Sequence, residues 1–141
     1  MENARTNRTR PLVFVTNGDG DFLLAMQQLL EDEGYTPVVM ELIDDPYPTI
    51  ARLLPDLLVI DFPYQEMLAW DLLDRLDANP ETWAMPMIAT STDRENLDRF
   101  AARTSHRTST EIQLKPFDLE PLLYLIAAFV PVGEPETKPL A

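Results

Sequence analysis

Short runs of β-branched and other apolar residues alternate along the chain with segments whose apolar residues recur at helical spacing. The runs typical of strands are 12–15, 37–42, 57–61, 85–90 and 111–114. Helical spacing is found in 21–33, 50–54, 68–76, 93–103 and 119–130. This alternation predicts a doubly wound (βα)5 fold, an α/β three-layer sandwich around one five-stranded parallel sheet.

The local signals agree with this pattern. Asp21 is predicted as the N-cap of the first helix, and Gly34 as the residue that follows its last turn. The run LLVID, 57–61, is apolar up to its final aspartate. Such a run is typical of a parallel strand that is covered on both faces.

Composition limits the kind of protein. The 141 residues contain 11 Lys and Arg against 24 Asp and Glu, a formal net charge of −13. So acidic a surface repels nucleic acid and anionic lipid, and we expect neither as a direct partner. The chain has no cysteine, and its one histidine, His106, lies in a polar stretch predicted as a surface loop. A metal site built from His or Cys is therefore excluded.

The two ends of the chain differ from the middle. Residues 1–10 are polar and arginine-rich, and are predicted as a flexible N-terminal tail. Residues 131–141 are predicted as a proline-rich C-terminal tail, which leaves one domain over 11–130. The sequence shows neither a bilayer-spanning apolar run nor the apolar region of a signal peptide, so we expect a cytoplasmic protein.

The residues just past the strands carry the candidate chemistry, because ligands of such sheets bind at the carboxyl ends of the strands. Asp61 ends the third strand, the hydroxyl run 90–92 follows the fourth, and Lys115 follows the fifth. A carboxylate can attack a phosphoryl group, while a hydroxyl and a lysine bind the transferred oxygens. A divalent cation usually completes such a site.

Four stretches, in this order, resemble the receiver domain of two-component response regulators (CheY-like): DFLLAMQQLLEDEGY, PDLLVIDFPYQEMLAWDLLDRL, PMIATST and LKPFD. Each stretch alone is a weak signal, but their order and spacing in a βα pattern make the resemblance specific. It covers roughly residues 12–130 and implies the flavodoxin-like form of the fold.

The resemblance assigns roles to the residues at the strand ends. Asp61 matches the phosphoacceptor, and Lys115 matches the lysine that binds the phosphoryl oxygens. Ser91 matches the switch hydroxyl, although Thr90 and Thr92 on either side leave the assignment open by one residue. Thr92 is taken as a further phosphoryl-binding candidate. Pro63 falls where family members offer a backbone carbonyl to Mg²⁺, the cofactor that the resemblance implies.

The end of the first strand, TNGDGD, departs from the family pattern. Family members hold Mg²⁺ there with two or three acidic residues, whereas the matching positions here are Asn17 with either Thr16 or Gly18. Asp19 is the nearest carboxylate, and the glycines on both sides allow it unusual backbone angles. We therefore expect weakened Mg²⁺ binding by a degenerate set of groups: Asp19, Asp61, Asn17 and the backbone carbonyl of Pro63.

The resemblance implies a stand-alone receiver domain in a two-component phosphorelay, and not an enzyme. A histidine kinase or a phosphotransfer protein would donate a phosphoryl group to Asp61, and the modified domain would change its contacts with a downstream protein. We expect those contacts, and any homodimer, on the face made by the fourth helix, the fifth strand and the fifth helix.

Two other classes stay open. The missing acid pair favours a pseudo-receiver, a protein-interaction module that works without phosphorylation. Ile112, which replaces the family's aromatic switch residue, favours the same class. An aspartate-nucleophile phosphatase is the third class, but it needs a second acid two residues beyond its nucleophile, where this chain has Pro63.

Overall fold

The computed structural model describes residues 8–63, 67–107, 110–115 and 119–132. Strands and helices alternate along these residues, as the hydrophobic pattern predicted. The strands are β1 (Leu12–Asn17), β2 (Thr36–Glu41), β3 (Leu57–Asp61), β4 (Met87–Ser91) and β5 (Thr110–Leu114). The helices are α1 (Gly20–Asp32), α2 (Tyr47–Leu53), α3 (Met67–Ala78), α4 (Arg94–Arg103) and α5 (Leu119–Phe129), and a 3-10 turn, Leu42–Asp44, follows β2.

The strands form one parallel sheet in the order β2-β1-β3-β4-β5. Val15 in β1 lies opposite Val39 in β2 on one side and opposite Val59 in β3 on the other. The chain winds from β1 first to one side of the sheet and then to the other, so the direction of winding reverses between β1 and β3. The carboxyl ends of these two strands therefore border the crevice in which ligands of such folds bind. The predicted flavodoxin-like (βα)5 fold is confirmed.

The core has two apolar layers, because successive residues of a strand face opposite sides of the sheet. Phe14 of β1 packs in the layer formed with α2, α3 and α4. Val13 and Val15 of the same strand pack in the layer formed with α1 and α5. Strand β3 is buried along its whole length, so its last residue, Asp61, is held at the sheet edge by a strand that is fixed on both faces.

Helix α1 begins earlier than the sequence predicted. Asp19 is its N-cap, with Oδ1 accepting hydrogen bonds from the amides of Asp21 at 3.0 Å and Phe22 at 3.3 Å. The prediction of Asp21 as the N-cap was wrong, because Asp21 lies inside the first turn, where its charge still favours the helix dipole. Gly34 follows the helix with a left-handed φ of +98°, as predicted.

Helix α2 also begins earlier than predicted, at Tyr47 and not at residue 50. Pro46 is its N-cap, and Pro48 lies in the first turn. A proline is favourable there because the amides of the first turn have no intrahelical acceptor. The two prolines therefore start this helix and do not merely turn the chain before it.

Two arginines ahead of β1 bind the ends of helices at the opposite, amino-terminal edge of the sheet. Arg8 donates to the carbonyl of Leu54, just past α2, and pairs with Asp56, both at 2.9 Å. Arg10 donates to the carbonyl of Gly34, just past α1, at 3.0 Å. Each guanidinium satisfies a carbonyl left over at a helix end and offsets the negative end of the helix dipole.

Arg8 and Arg10 belong to the predicted N-terminal tail, so part of that segment contacts the domain. The predicted tail segments 1–7 and 133–141 lie outside the described residues, and the bounds of 11–130 stay a prediction. His106 lies in the turn after α4, with its ring stacked on that of Trp83 at a centroid distance of 4.5 Å. Within the described part of the chain, no helix is long and apolar enough to cross a bilayer.

Candidate functional site

Asp61 is the one buried acidic side chain among the described residues, with 3% of its surface exposed. Its Oδ1 accepts a hydrogen bond from Thr90 Oγ1 at 2.6 Å and an ion-paired one from Lys115 Nζ at 3.0 Å. A carboxylate at this depth needs such partners, because an uncompensated charge in the interior is strongly unfavourable. The described residues donate no hydrogen bond to Oδ2, so this oxygen remains available to a ligand.

Three neighbouring strands bring these groups together. Asp61 lies opposite Thr90 in the β3–β4 register, and Ser91 lies opposite Leu114 in the β4–β5 register. The amide of Lys115 then donates to the Ser91 carbonyl at 2.7 Å, which extends the backbone pairing one residue past β5. Parallel pairing aligns the carboxyl ends of the strands, and so it places a carboxylate, a hydroxyl and an ammonium at one edge.

The carbonyls just past β3 accept hydrogen bonds from β4 and α4. Phe62 O accepts from Ser91 Oγ at 2.5 Å and from Asn96 Nδ2 at 3.1 Å. The same Asn96 amide donates to the Pro63 carbonyl at 3.2 Å. Asn96 is buried in the first turn of α4, so these bonds tie the start of α4 to the segment that follows Asp61.

The polar side chains at the end of β1 serve the local backbone. Asn17 Oδ1 accepts the amide of Asp19 at 3.0 Å, and the Asp19 carboxylate caps α1. Thr16 is buried, and its hydroxyl has no partner among the described residues. Asn17 and Asp19 were both expected beside a metal, and both instead stabilise the turn from β1 into α1.

These donors do not fit a resident Mg²⁺ ion, which is held in proteins through carboxylates and several waters. The one buried carboxylate among the described residues is Asp61, and its charge is already partly offset by the Lys115 ammonium. At the end of β1, Asn17 is a neutral amide and the exposed Asp19 caps α1, so no second buried carboxylate faces Asp61 there. Within the described ranges, no group of three or more His, Cys, Asp or Glu side chains is arranged to hold a metal.

Ile112, which the resemblance aligned with the aromatic switch residue, is partly buried and packs against the layer formed with α2, α3 and α4. Aromatic contacts occur instead at the residue after the β3 carboxylate. The ring of Phe62 lies 4.4 Å from that of Trp70 in α3 and 5.4 Å from that of Phe100 in α4, between centroids. These rings connect the segment after β3 to two helices on one face of the sheet.

The structure brings Asp61 and Lys115 together, and the hydroxyl that donates to the same Asp61 oxygen is that of Thr90. The predicted Ser91 donates to the main chain, and the predicted Thr92 is exposed, with no hydrogen bond to the described residues. The sequence signal was a run of three hydroxyl residues after a strand. Only the pairing of β4 with β3 decides which of the three contacts the carboxylate.

No protein-family model matches the sequence, and no curated protein matches it. Solved structures do match. A response regulator receiver protein from Pseudomonas putida is 25% identical, with a TM-score of 0.67 over 84% of this chain and 97% of that one. The chemotaxis response regulator CheY4 of Vibrio cholerae is 14% identical, with a TM-score of 0.72 over 86% of this chain and 99% of that one. The non-phosphorylated HemR receiver domain from Leptospira biflexa is 18% identical, with a TM-score of 0.68 over 91% of this chain and 100% of that one. The chain therefore has the receiver-domain fold of response regulators.

Proposed function

We propose that this chain is a receiver domain of two-component signalling that acts through protein contacts, without a phosphoryl group on Asp61. The fold, shared with solved response-regulator receivers over most of the chain, supports the first part. The observation that supports the second part is the end of β1. There Asn17 replaces an acid, and Asp19 is used as a helix cap.

Electrostatics supports the same reading. A phosphoryl donor brings negative charge to the pocket, and transfer requires positive charge that neutralises it, which a divalent cation usually supplies. Here the neighbouring cation is Lys115, and its charge is already paired with Asp61 at 3.0 Å. The whole chain adds to the barrier, because a net charge of −13 repels an anionic donor.

A receiver that signals without a phosphoryl group needs its contact surface formed in advance. The hydrogen bonds of Ser91 and Asn96 to the Phe62 carbonyl hold the start of α4 in place. A downstream protein would bind the face of α4, β5 and α5, where Tyr124 is 80% exposed and Leu114 is 42% exposed. The domain would work in the cytoplasm as an interaction module, between a histidine kinase or phosphotransfer protein and that target.

Phosphoacceptance by Asp61 is the second candidate, and a specific observation favours it. Lys115 and Thr90 both hold Oδ1, which leaves Oδ2 available to attack. In that reaction Oδ2 would form a bond to the phosphorus of a phosphohistidine donor as the P–N bond breaks, and Lys115 would bind the transferred oxygens.

Intact-mass measurement separates the two candidates. The full chain, its Asp61→Asn variant and a reference receiver that has the acid pair are each incubated with acetyl phosphate and Mg²⁺. We expect the reference to gain one phosphoryl group while the mass of this chain stays unchanged. A base-labile phosphoryl adduct on the wild-type chain that Asp61→Asn lacks would establish the second candidate and reject the first.

Magnesium binding is tested separately by tryptophan fluorescence. The chain has two tryptophans, and Trp70 packs on Phe62, next to Asp61. A Trp83→Phe variant removes the exposed tryptophan, so that the emission reports on Trp70 alone. We expect no saturable change as Mg²⁺ is added, and a saturable change that Asp61→Asn abolishes would show a functional metal site.

A further inference from the structure

A groove separate from the Asp61 pocket lies between the 3-10 turn after β2 and helix α3. Its cavity volume is about 150 Å³, and its apolar walls are formed by Ile43, Leu68 and Leu72. Ile43 is 74% exposed, and Leu68, in the first turn of α3, is 38% exposed. Single exposed apolar residues are ordinary on protein surfaces, but here two of them border a cavity that a side chain could fill.

The polar wall of this groove is fixed in place. Arg75 of α3 pairs with Asp45 at 2.8 Å, and its guanidinium covers the ring of Tyr47 at 4.3 Å from the centroid. Asp45 has a left-handed φ of 54°, a backbone conformation that persists when surrounding contacts determine it. The ion pair and the ring contact supply those contacts, so the groove is formed before anything binds.

The rim of the groove is negatively charged. Asp71 lines the cavity, and Asp44 ends the 3-10 turn beside it. Both carboxylates are exposed, and neither forms an ion pair within the part of the chain that the structure describes. An apolar cavity with unpaired carboxylates at its rim is complementary to an apolar side chain flanked by positive charge.

We propose that this groove binds a segment of another protein that inserts one large apolar side chain, with Lys or Arg residues next to it that face Asp44 and Asp71. A cavity of about 150 Å³ accepts a group of the size of benzene, which is the size of a phenylalanine ring. Buried anchors of this kind dominate the affinity of protein interfaces. The inference does not depend on Asp61, and it holds with either state of that residue.

Other occupants fit the groove less well. An anionic membrane is repelled by the carboxylates and by the net charge of −13. A second copy of this chain carries the same net charge of −13, so the two acidic surfaces repel each other. A different, basic protein partner supplies both the apolar side chain and the positive charge.

The test uses a displayed library of random peptides, selected on the full chain. The Ile43→Glu variant serves as the counter-target, and Leu24→Glu, at an exposed apolar residue of α1, serves as the matched control. We expect enriched peptides that combine Phe, Trp or Leu with adjacent Lys or Arg. Their affinity should fall at least about tenfold on Ile43→Glu and stay unchanged on Leu24→Glu.

The role of the two rim carboxylates is tested with synthetic copies of the enriched peptides. The double variant Asp44→Asn and Asp71→Asn should weaken binding and reduce its dependence on salt, because rim charges act mainly through long-range attraction. Ile43→Glu should unfold at the same temperature as the wild type, since Ile43 is exposed. If it does not, Leu68→Glu, at the other exposed apolar residue of the groove, replaces it, and the same loss of affinity is expected.

Three outcomes would overturn the proposal. The first is a selection that yields no peptides or peptides without the paired apolar and basic features. The second is binding that Ile43→Glu and Leu68→Glu leave intact. The third is a dimer in sedimentation velocity that Ile43→Glu abolishes, which would assign the groove to a second copy of the chain.

Discussion

Two halves of the same sheet edge have kept different kinds of residues. The ends of β3, β4 and β5 present a carboxylate, a hydroxyl and an ammonium that contact one another, through Asp61, Thr90 and Lys115. The end of β1 presents Asn17 and Asp19, whose side chains are bonded to the backbone of the turn into α1. The side chains of the first half contact the buried charge of Asp61, whereas those of the second half stabilise the start of α1.

The difference shows that a position in a fold does not preserve its chemistry. Both halves sit at the carboxyl ends of parallel strands, where ligands of this fold bind. Function at such a site requires all of its groups at once, whereas each group alone can be kept for a structural reason. Asp61 and Lys115 satisfy one another as a buried pair, and this pairing would stabilise them even where no phosphoryl group is ever bound.

The largest expected effect comes from restoring an acid at the end of β1. Asn17→Asp would put a second carboxylate at a buried position next to the strand that carries Asp61. We expect a loss of about 3 kcal/mol in the free energy of unfolding without metal, because two close buried carboxylates repel each other. Added Mg²⁺ should recover much of this loss, and urea unfolding with and without Mg²⁺ measures both changes.

The matched control for that variant is Gly18→Asp. Gly18 is one of the two positions, with Thr16, that the resemblance aligns with the second family acid. It is exposed, and a Cβ there would meet no atom within 4 Å. Its stability should stay within about 0.5 kcal/mol of the wild type. A wild-type chain that Mg²⁺ stabilises as strongly as it does Asn17→Asp would contradict the contrast between the two halves.

The next largest effect is expected from removing the Lys115 ammonium, which belongs to the half formed by the ends of β3, β4 and β5. Lys115→Met leaves Asp61 buried with Thr90 as its remaining partner, and we expect a loss of about 2 kcal/mol in stability. In the double variant Lys115→Met and Asp61→Asn the buried charge is also removed, so most of that loss should be recovered. A double-mutant cycle, measured by urea unfolding, gives the coupling free energy between Lys115 and Asp61. If the losses of the two single variants simply add in the double variant, the ion pair contributes nothing to stability.

The hydroxyl contact is expected to contribute less. Thr90→Val removes the donor of the 2.6 Å hydrogen bond to Asp61, and we expect a loss of about 1.5 kcal/mol in the free energy of unfolding. Thr92→Val changes an exposed hydroxyl and should be nearly neutral. Thermal unfolding of the two variants distinguishes them, and the reverse order would place Thr92 against the carboxylate.

The smallest effect concerns the helix cap. Asp19→Ala removes the acceptor for the amides of Asp21 and Phe22, and we expect a loss of about 1 kcal/mol in stability. Asp21→Ala removes only a charge in the first turn, so its effect should be below about 0.5 kcal/mol. Chemical unfolding measures both variants, and a larger effect of Asp21→Ala would support the N-cap that the sequence predicted.

Much of the fold followed from periodicity. LLVID predicted the full extent of β3, because a strand covered on both faces is apolar at every position. The start of α1 did not follow, since Asp19 and Asp21 both suit an N-cap, and only the extended backbone of Asp19 in the structure decides between them. The start of α2 was predicted too late, because proline is favoured both in turns and in the first turn of a helix.

Only those site residues could be predicted whose position follows from a single strand. Asp61 and Lys115 each follow a strand directly, so their place at the edge follows from the strand pattern. Thr90 depends on the register between two strands, which is a property of the pairing and not of either strand. Asn96 gave no signal, because its role is to bond carbonyls that are 33 and 34 residues away in the sequence.

The bonds from Asn96 to the carbonyls of Phe62 and Pro63 also bear on how much such a domain can report. Under the proposed function, a helix held in this arrangement would offer its partner one surface, with no covalent mark to change it. The partner would then respond only to how many copies of the domain it meets. Information would enter this pathway through the synthesis and degradation of the chain, and its lifetime in the cell would take the place of a covalent mark.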